Sequence, residues 1–417
     1  MKRFRSLYSL FNREMLEKAY HELNKDAASG SDRVTWQEYG NDLHANLIAL
    51  EGRLKQKRYW PRFVRRVEIP KPNGRTRPLG IPAVEDKIVQ QLAAEILKAL
   101  FEPLFLDCSH AYRPKRSAKG AVAALQDEIR HKYVWVVEAD IKGFFDNIDH
   151  AWLIRMVERR VNDRAFTELI RRFLKAGVLL PDRSVEHPEQ GTPQGGVVSP
   201  VLANIYLHFV LDLWFKQKVK RQCRGEAYLV RYADDFVAAF RYHKDAKHFY
   251  SALTPRLKKF GLETAEDKTR ILRFNRFDKE RSETFVFLGY EFRQTTSLGG
   301  NDIVAAKMSR KRMCRTVNDF SQWCRSIRDR RIAWIMGMVK AKLRGIGNYF
   351  SLPGNAKRRH EIDLLYRRTL YRWLNRRSER KSYNWRTFSF MWAQFMYKPK
   401  RKLTWEGQQM SLWDCLV

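Results

Sequence analysis

The string YLVRYADDFVAAF (228–240) constrains this chain more than any other. Two short apolar runs rich in β-formers flank Asp234-Asp235, the pattern of two buried strands joined by a tight turn. Adjacent carboxylates repel each other, so a fold tolerates them best where a cation sits between them. Taken alone, the pair also suits a solvated hairpin turn, where Asp is common. A second string, VWVVEADIKGFFDNID, ends another apolar β-rich run in Asp140. Three carboxylates converging from neighbouring strand ends match the needs of two Mg²⁺ ions, one lowering the pKa of an attacking hydroxyl and one neutralising a leaving pyrophosphate. Asp140 and the charge of the whole chain decide for the metal.

That charge is extreme: 80 Lys and Arg stand against 46 Asp and Glu, a net +34 over 417 residues. Solubility needs far less, and the excess points to a polyanionic partner, nucleic acid before anionic membrane. With 44% hydrophobic and 13% aromatic residues, wholesale disorder is excluded. The best uncharged run, 195–211, is broken by Pro200, Asn204 and His208 and meets Asp212 before it reaches spanning length, so no membrane partner is expected. The basic N-terminus has no continuous apolar stretch and does not read as a secretory signal. Cys108, Cys223, Cys314, Cys324 and Cys415 are scattered and form no CxxC pair. Neither a disulfide framework nor a structural zinc site is expected, which fits a reducing cytoplasm.

Periodicity gives an α+β chain with two differently composed parts. Val84, Ile88, Leu92 and Ile96 recur at helical spacing, and runs at 133–139, 228–232 with 236–240, and 285–292 read as strands. Helices are expected over 151–161, 200–216 and 244–260. Residues 301–417 hold 27 Lys and Arg against 8 Asp and Glu, and seven of the twelve tryptophans. The Gly299-Gly300 punctuation in SLGGND marks the boundary between the two parts. The loop GTPQGGVVSPVLANIYLH adds Gly191, Gly195 and Gly196, which permit close backbone approach, and Gln194, whose amide both donates and accepts.

In chain order, IPKPNGRTRPLGIP, SHAYRPKRSAKGA, ADIKGFFDNIDH, the GTPQGG string, YADD and FLGYEF resemble the successive blocks of the bacterial group II intron reverse transcriptases. NKDAASGSDRVTWQEY resembles their N-terminal extension, and the string from KLRGIGNYF to NWRTF resembles their maturase (X) domain. The resemblance covers nearly the whole chain, although Ala111, Lys119, Ile346 and Ser351 stand where other residues are usual. It implies a right-hand polymerase: an N-terminal extension over 1–50, fingers and a palm with an antiparallel sheet over 51–296, and a basic α-helical thumb/maturase domain over 297–417.

Carried over position by position, the resemblance makes Asp140, Asp234 and Asp235 the catalytic metal ligands, with the Ile141 backbone completing one shell. Two Mg²⁺ ions are implied, with Mn²⁺ as a substitute. Lys71, Arg75 and Arg77 would hold the dNTP triphosphate, Gln194 would line its pocket, and Lys268 would stand nearby. Phe145, with Phe144 beside it, would pack on the sugar and exclude a 2′-hydroxyl. Leu288, Gly289 and Tyr290 would form the primer grip.

In the basic segment, Arg367, Arg368, Arg372, Arg376, Arg377 and Arg380 alternate with Leu364, Leu365, Leu370, Trp373 and Leu374. This reads as a helix with an apolar stripe on a core and an arginine face on RNA phosphates. Trp373 and Trp385 are expected in the core. The chain stops without a Cys/His-rich endonuclease segment, so an endonuclease-free member is expected. The implied partners are group II intron RNA, an RNA template with a DNA or RNA primer, dNTPs and target DNA, in a cytoplasmic protein held near the nucleoid by nucleic acid. A free-standing or defence-associated (CRISPR- or retron-like) reverse transcriptase and a splicing-only maturase are the alternatives.

Overall fold

Paired strands and capped helices follow directly from the local signals of the chain. The computed structural model describes residues 2–70, 76–130, 133–266, 269–275, 278, 280–297, 299–377 and 379–397. They divide into two compact units, Met1–Ala121 with Tyr133–Leu272, and Val122–Lys132 with Arg273–Val417.

In the first unit, Asn12 caps the helix Arg13–Glu22, and a Thr35/Glu38 capping box opens Trp36–Asn41. Strands β1 (Val64–Pro70) and β2 (Thr76–Ile81) pair antiparallel, Arg65 to Ile81 and Pro70 to Thr76. The helix Val84–Phe101 follows, and its expected apolar face is wholly buried. Then come β3 (Trp135–Ala139), β4 (Ile141–Lys142), β5 (Val178–Leu179) and β6 (Val185–Glu186). The string 228–240 forms β7 (Ala227–Tyr232) and β8 (Asp235–Phe240), with β9 (Glu263–Thr264) and β10 (Arg270–Arg273) beyond. One sheet runs β10-β3-β8-β7, with β8 antiparallel to both neighbours. A second runs β2-β1-β5-β6, with β5 parallel to β1.

The helix read at 200–216 begins as Ser199–Leu207 and continues through two π-helical turns, His208–Asp212 and Phe215–Val219. Such turns insert extra residues into a helix and re-aim its side chains. Here Asn204, His208 and Asp212 all point into the interior. Helix His243–Lys258 closes this core by packing Phe249 on Phe240 and Phe215.

The second unit holds an antiparallel meander, β11 (Phe285–Phe287), β12 (Tyr290–Thr296) and β13 (Asp302–Met308). Four helices follow: Arg310–Ile327, Ile332–Tyr349, Ala356–Leu374 and Trp385–Tyr397. The run read as one strand over 285–292 is therefore two strands. Leu288 and Gly289, at φ +51° and +80°, make the two-residue turn between them. The composition change at 297–302 falls in the β12–β13 turn, where Gly300 takes φ +81°.

The buried stripe of Ala356–Leu374 is Ile362, Tyr366, Leu370 and Leu374, one residue per helical turn, with Phe320 stacked on Tyr366 at 3.7 Å. Leu364, Leu365 and Trp373 are only half-buried, because four-residue spacing from Ile362 turns them off the core, and Trp385, at the start of the next helix, is exposed. Cys108, Cys223, Cys314 and Cys324 are free thiols, and no helix among the described residues is long and apolar enough to cross a membrane.

Candidate active site

The ladder between β3 and β8 sets the geometry of the acids. Its last pair is Ala139 with Phe236, so Asp140 and Asp235 are the next residues of two adjacent antiparallel strands. On the other side Asp235 pairs with Tyr232, which leaves Ala233 and Asp234 as a two-residue turn. Ala233 adopts φ +57°, left-handed backbone that costs an alanine roughly 1–2 kcal/mol. Asp140 and Asp234 are half-buried, and Asp235 is exposed. The Asp140 carbonyl accepts from Ala265 N at 2.9 Å, and the buried Ile141 pairs with Thr264.

After Lys142 the chain turns sharply through Gly143 at φ +53° into a short 3₁₀ turn, Phe144–Asp146. The GTPQGG loop is zipped against this turn: Thr192 N donates to Phe145 O at 2.7 Å and Gly191 N to Ile148 O at 2.8 Å. Gly191 sits at φ +85°, and a Cβ there would lie 2.7 Å from Asp146 O, so no larger residue fits. Gln194 occupies the centre. Its Oε1 accepts from Arg77 Nε at 2.6 Å, and its Nε2 donates to Asp146 Oδ1 and Oδ2 at 3.0 and 3.2 Å. Gly80 N also donates to Gln194 O at 2.6 Å, tying β2 to the loop. The structure thus brings Arg77 and Gln194 together. Phe144 is fully buried against Tyr206, while Phe145 keeps slightly more exposure.

Sequence reading missed three members of this neighbourhood. Asp146 anchors Gln194 from 48 residues away, with no local signal. Tyr112 belongs to a segment that runs parallel to β7: Arg231 N donates to Cys108 O at 2.7 Å, and His110 N to Arg231 O at 2.9 Å. Three residues past the Ser109–Arg231 bridge, Tyr112 lies level with Asp234. Burial pushes its hydroxyl pKa up, Asp234 and Tyr232 add to the rise, and Arg77 opposes it. The third is Arg231 itself, a buried charge in an apolar strand.

The donor set is carboxylate oxygen, which suits a hard divalent cation. Among the described residues no three His, Cys, Asp or Glu side chains are gathered as a ready-made cage. Lys71, Arg75 and Lys268 lie outside the described residues.

In the second unit, the Leu288-Gly289 turn is pinned by its carbonyls, which accept from Tyr349 Oη at 3.0 Å and Ser309 N at 3.0 Å. Tyr290 Oη donates to Tyr349 O. Arg368, Arg372, Arg376 and Arg380 are exposed. Arg367 lies over Trp385 at 4.9 Å, Arg376 over Trp373 at 5.3 Å, and Arg377 Nη2 donates to Arg330 O at 2.9 Å.

Residues 69–292, just over half the chain, match the family model described as reverse transcriptase (RNA-dependent DNA polymerase). Over 168 residues the chain is 46% identical to the group II intron-encoded protein LtrA of Lactococcus lactis subsp. cremoris, covering 39% of this chain and 28% of that protein. It is 28% identical over 431 residues to the uncharacterized 91 kDa protein in cob intron of Schizosaccharomyces pombe, covering 85% of this chain and 52% of the relative. Protein YkfC of Escherichia coli (strain K12) is 31% identical over 283 residues, covering 60% and 71%. The chain spans about a quarter to a half of the length of the first two.

Proposed function

Since this chain belongs to the reverse transcriptase (RNA-dependent DNA polymerase) family and is related to group II intron-encoded proteins, we propose that it copies RNA into DNA and serves its intron RNA as a maturase. The observation that carries the reading is the register of β3, β8 and the β7–β8 turn, which sets Asp140, Asp234 and Asp235 side by side at adjacent strand ends. In this reading the β1–β2 hairpin serves as fingers, the β10-β3-β8-β7 sheet as palm and the basic helical part as thumb, the right-hand arrangement that the family resemblance implies.

In this reading Asp140, Asp234 and Asp235 hold Mg²⁺, or Mn²⁺ in its place. Held by these carboxylates, the metal would supply acidity at the primer 3′-hydroxyl and charge neutralisation at the phosphates. The 3′-oxygen, its proton passing to solvent water, attacks the α-phosphorus of a dNTP in line; the new O–P bond forms, and the bond to the β-phosphate oxygen breaks to release pyrophosphate. Arg77, with Lys71 and Arg75, neutralises the triphosphate through charge-assisted hydrogen bonds. Gln194, fixed on Asp146, shapes the nucleotide pocket, and Lys268 adds positive charge. Phe145, on the rigid turn zipped to the GTPQGG loop, packs where a ribose 2′-hydroxyl would project, with Phe144 as its backing.

Leu288, Gly289 and Tyr290 offer turn backbone to the primer strand. Arg368, Arg372, Arg376 and Arg380 form the exposed cationic face for intron RNA, with Arg367 and Arg377 held beneath it. Target DNA is the partner expected when the copied intron moves.

The test is primer extension on an RNA template with Mg²⁺, comparing dNTPs with rNTPs and including Asp234→Ala. DNA synthesis that disappears in the variant is expected. No synthesis by folded wild-type protein would overturn the polymerase reading and favour a splicing-only maturase.

A further inference from the structure

Arg231 is 0% exposed, and its charge is met by Asp212, itself 1% exposed. All five guanidinium N–H groups are used. Nε donates to Asp212 Oδ1 at 2.8 Å and Nη2 to Asp212 Oδ2 at 2.6 Å, a bidentate pair. Nη2 also donates to Ser109 Oγ at 2.8 Å, and Nη1 to Asn204 Oδ1 at 3.1 Å. The last bond runs from Nη1 to the carbonyl of Ala233 at 3.0 Å. Asn204 in turn donates through Nδ2 to Ala111 O at 2.6 Å. One planar group thus joins the π-helical turn of Asp212, the segment leading to Tyr112, and the turn that carries Asp234.

A buried ion pair is a poor stabiliser, because desolvation offsets most of its attraction and apolar side chains of similar size often serve the fold as well. Something other than stability therefore accounts for this one. Ala233 supplies the reason: it is a non-glycine residue held at φ +57°, a conformation that persists only where its surroundings impose it. Apolar contacts are non-directional and cannot fix a peptide plane. A guanidinium locked by a bidentate carboxylate can.

We propose that Arg231, locked by Asp212, is a positioning residue that holds the Ala233 peptide so that Asp234 and Asp235 are presented beside Asp140 for divalent cations. The assignment deepens the polymerase reading and rests on it. Arg231 touches no reacting atom; it acts through the turn.

The informative variant is the double substitution Arg231→Met with Asp212→Leu, which removes both charges and leaves neither orphaned in the interior. Arg231→Lys is its companion, keeping the charge but losing the fork. Folding is read by circular dichroism and thermal melting. Mn²⁺ affinity is read without substrates, from the electron paramagnetic resonance of unbound Mn²⁺, and kcat and the dNTP KM come from primer extension. The double variant is expected to fold, to bind Mn²⁺ about tenfold more weakly, and to lose on the order of 10- to 100-fold in kcat with its dNTP KM within about twofold of wild type, the cost of a small displacement of catalytic groups. Arg231→Lys is expected to fall between the two.

Wild-type Mn²⁺ affinity and kcat in a folded double variant would overturn the proposal. So would failure of both variants to fold, which would make the pair structural. An inactive wild type would sink the polymerase reading alone, since the Mn²⁺ comparison does not depend on synthesis.

Discussion

Asp86 offers a quantitative test of the interior beneath the β1–β2 hairpin. It stands in the first turn of the helix Val84–Phe101, 1% exposed, with Oδ1 accepting from Tyr59 Oη at 2.5 Å and Oδ2 from Arg62 N at 3.0 Å. Burial pushes its carboxyl up to about 7, against the lowering effect of those two hydrogen bonds. The folded protein therefore keeps a proton that the unfolded chain releases near pH 4. Stability from this group is fully present below the unfolded value and is lost as pH rises through 7. At 1.36 kcal/mol per pKa unit, roughly three units amount to about 4 kcal/mol, of which about 2 kcal/mol falls between pH 5.5 and 8.

Asp86→Asn removes the titration while leaving an amide oxygen for Arg62 N and a polar partner for Tyr59. Urea unfolding followed by circular dichroism at pH 5.5, 7 and 8 measures the difference. The gap between wild type and variant should shift by about 2 kcal/mol in favour of the variant as pH rises. His110 and His208 carry pKa values lowered to about 4, first by burial, so their contribution is present above the unfolded value and fades as pH falls below it. Both proteins share that effect, and it cancels in the comparison. Parallel profiles for wild type and Asp86→Asn would refute the assignment of a buried, protonated Asp86.

Two further substitutions probe the proposed nucleotide pocket and the basic helical part. Phe145→Ala should relax the preference for dNTPs over rNTPs in primer extension, and an unchanged preference would remove Phe145 from the pocket wall. Leu370, fully buried in the stripe of Ala356–Leu374, should cost about 2–5 kcal/mol on truncation to Ala, read by chemical denaturation of the full chain.

The β7–β8 hairpin is legible in the sequence because every local signal agrees: β-rich apolar runs, an acidic turn, and a second strand ending in Asp140. Features made by distant partners are not. Asp146 looks like any polar residue in a short turn until Gln194, 48 positions away, arrives on it. The hairpin at 285–292 was read through as one strand because Leu288, at φ +51°, is not a turn-forming residue, and only Gly289 marks the reversal. Trp385 reads as core because a helical tryptophan is more often buried, but it lies exposed with the Arg367 guanidinium over its ring. One missed residue did leave a trace. Arg231 interrupts the apolar run YLVRY, and a charge in a strand buried on both faces demands a partner.

That partner, Asp212, and the pair Tyr59–Asp86 share a logic that apolar burial does not supply. The core of the first unit is large and dominated by Leu, Ile, Val and Phe, which suffices to fold it. Packing of that kind tolerates small slides of one element on another, whereas the metal-assisted chemistry of the polymerase reading would not tolerate a displaced carboxylate. The polar groups sit where direction matters. Arg231 fixes the peptide between Ala233 and Asp234, and Asp86 fixes the backbone at Arg62, where the chain enters the β1–β2 hairpin that carries Arg77. Each is a costly buried group placed under an element that meets substrate in the polymerase reading. Their distribution thus marks the parts of this fold whose position, rather than whose stability, the chemistry requires.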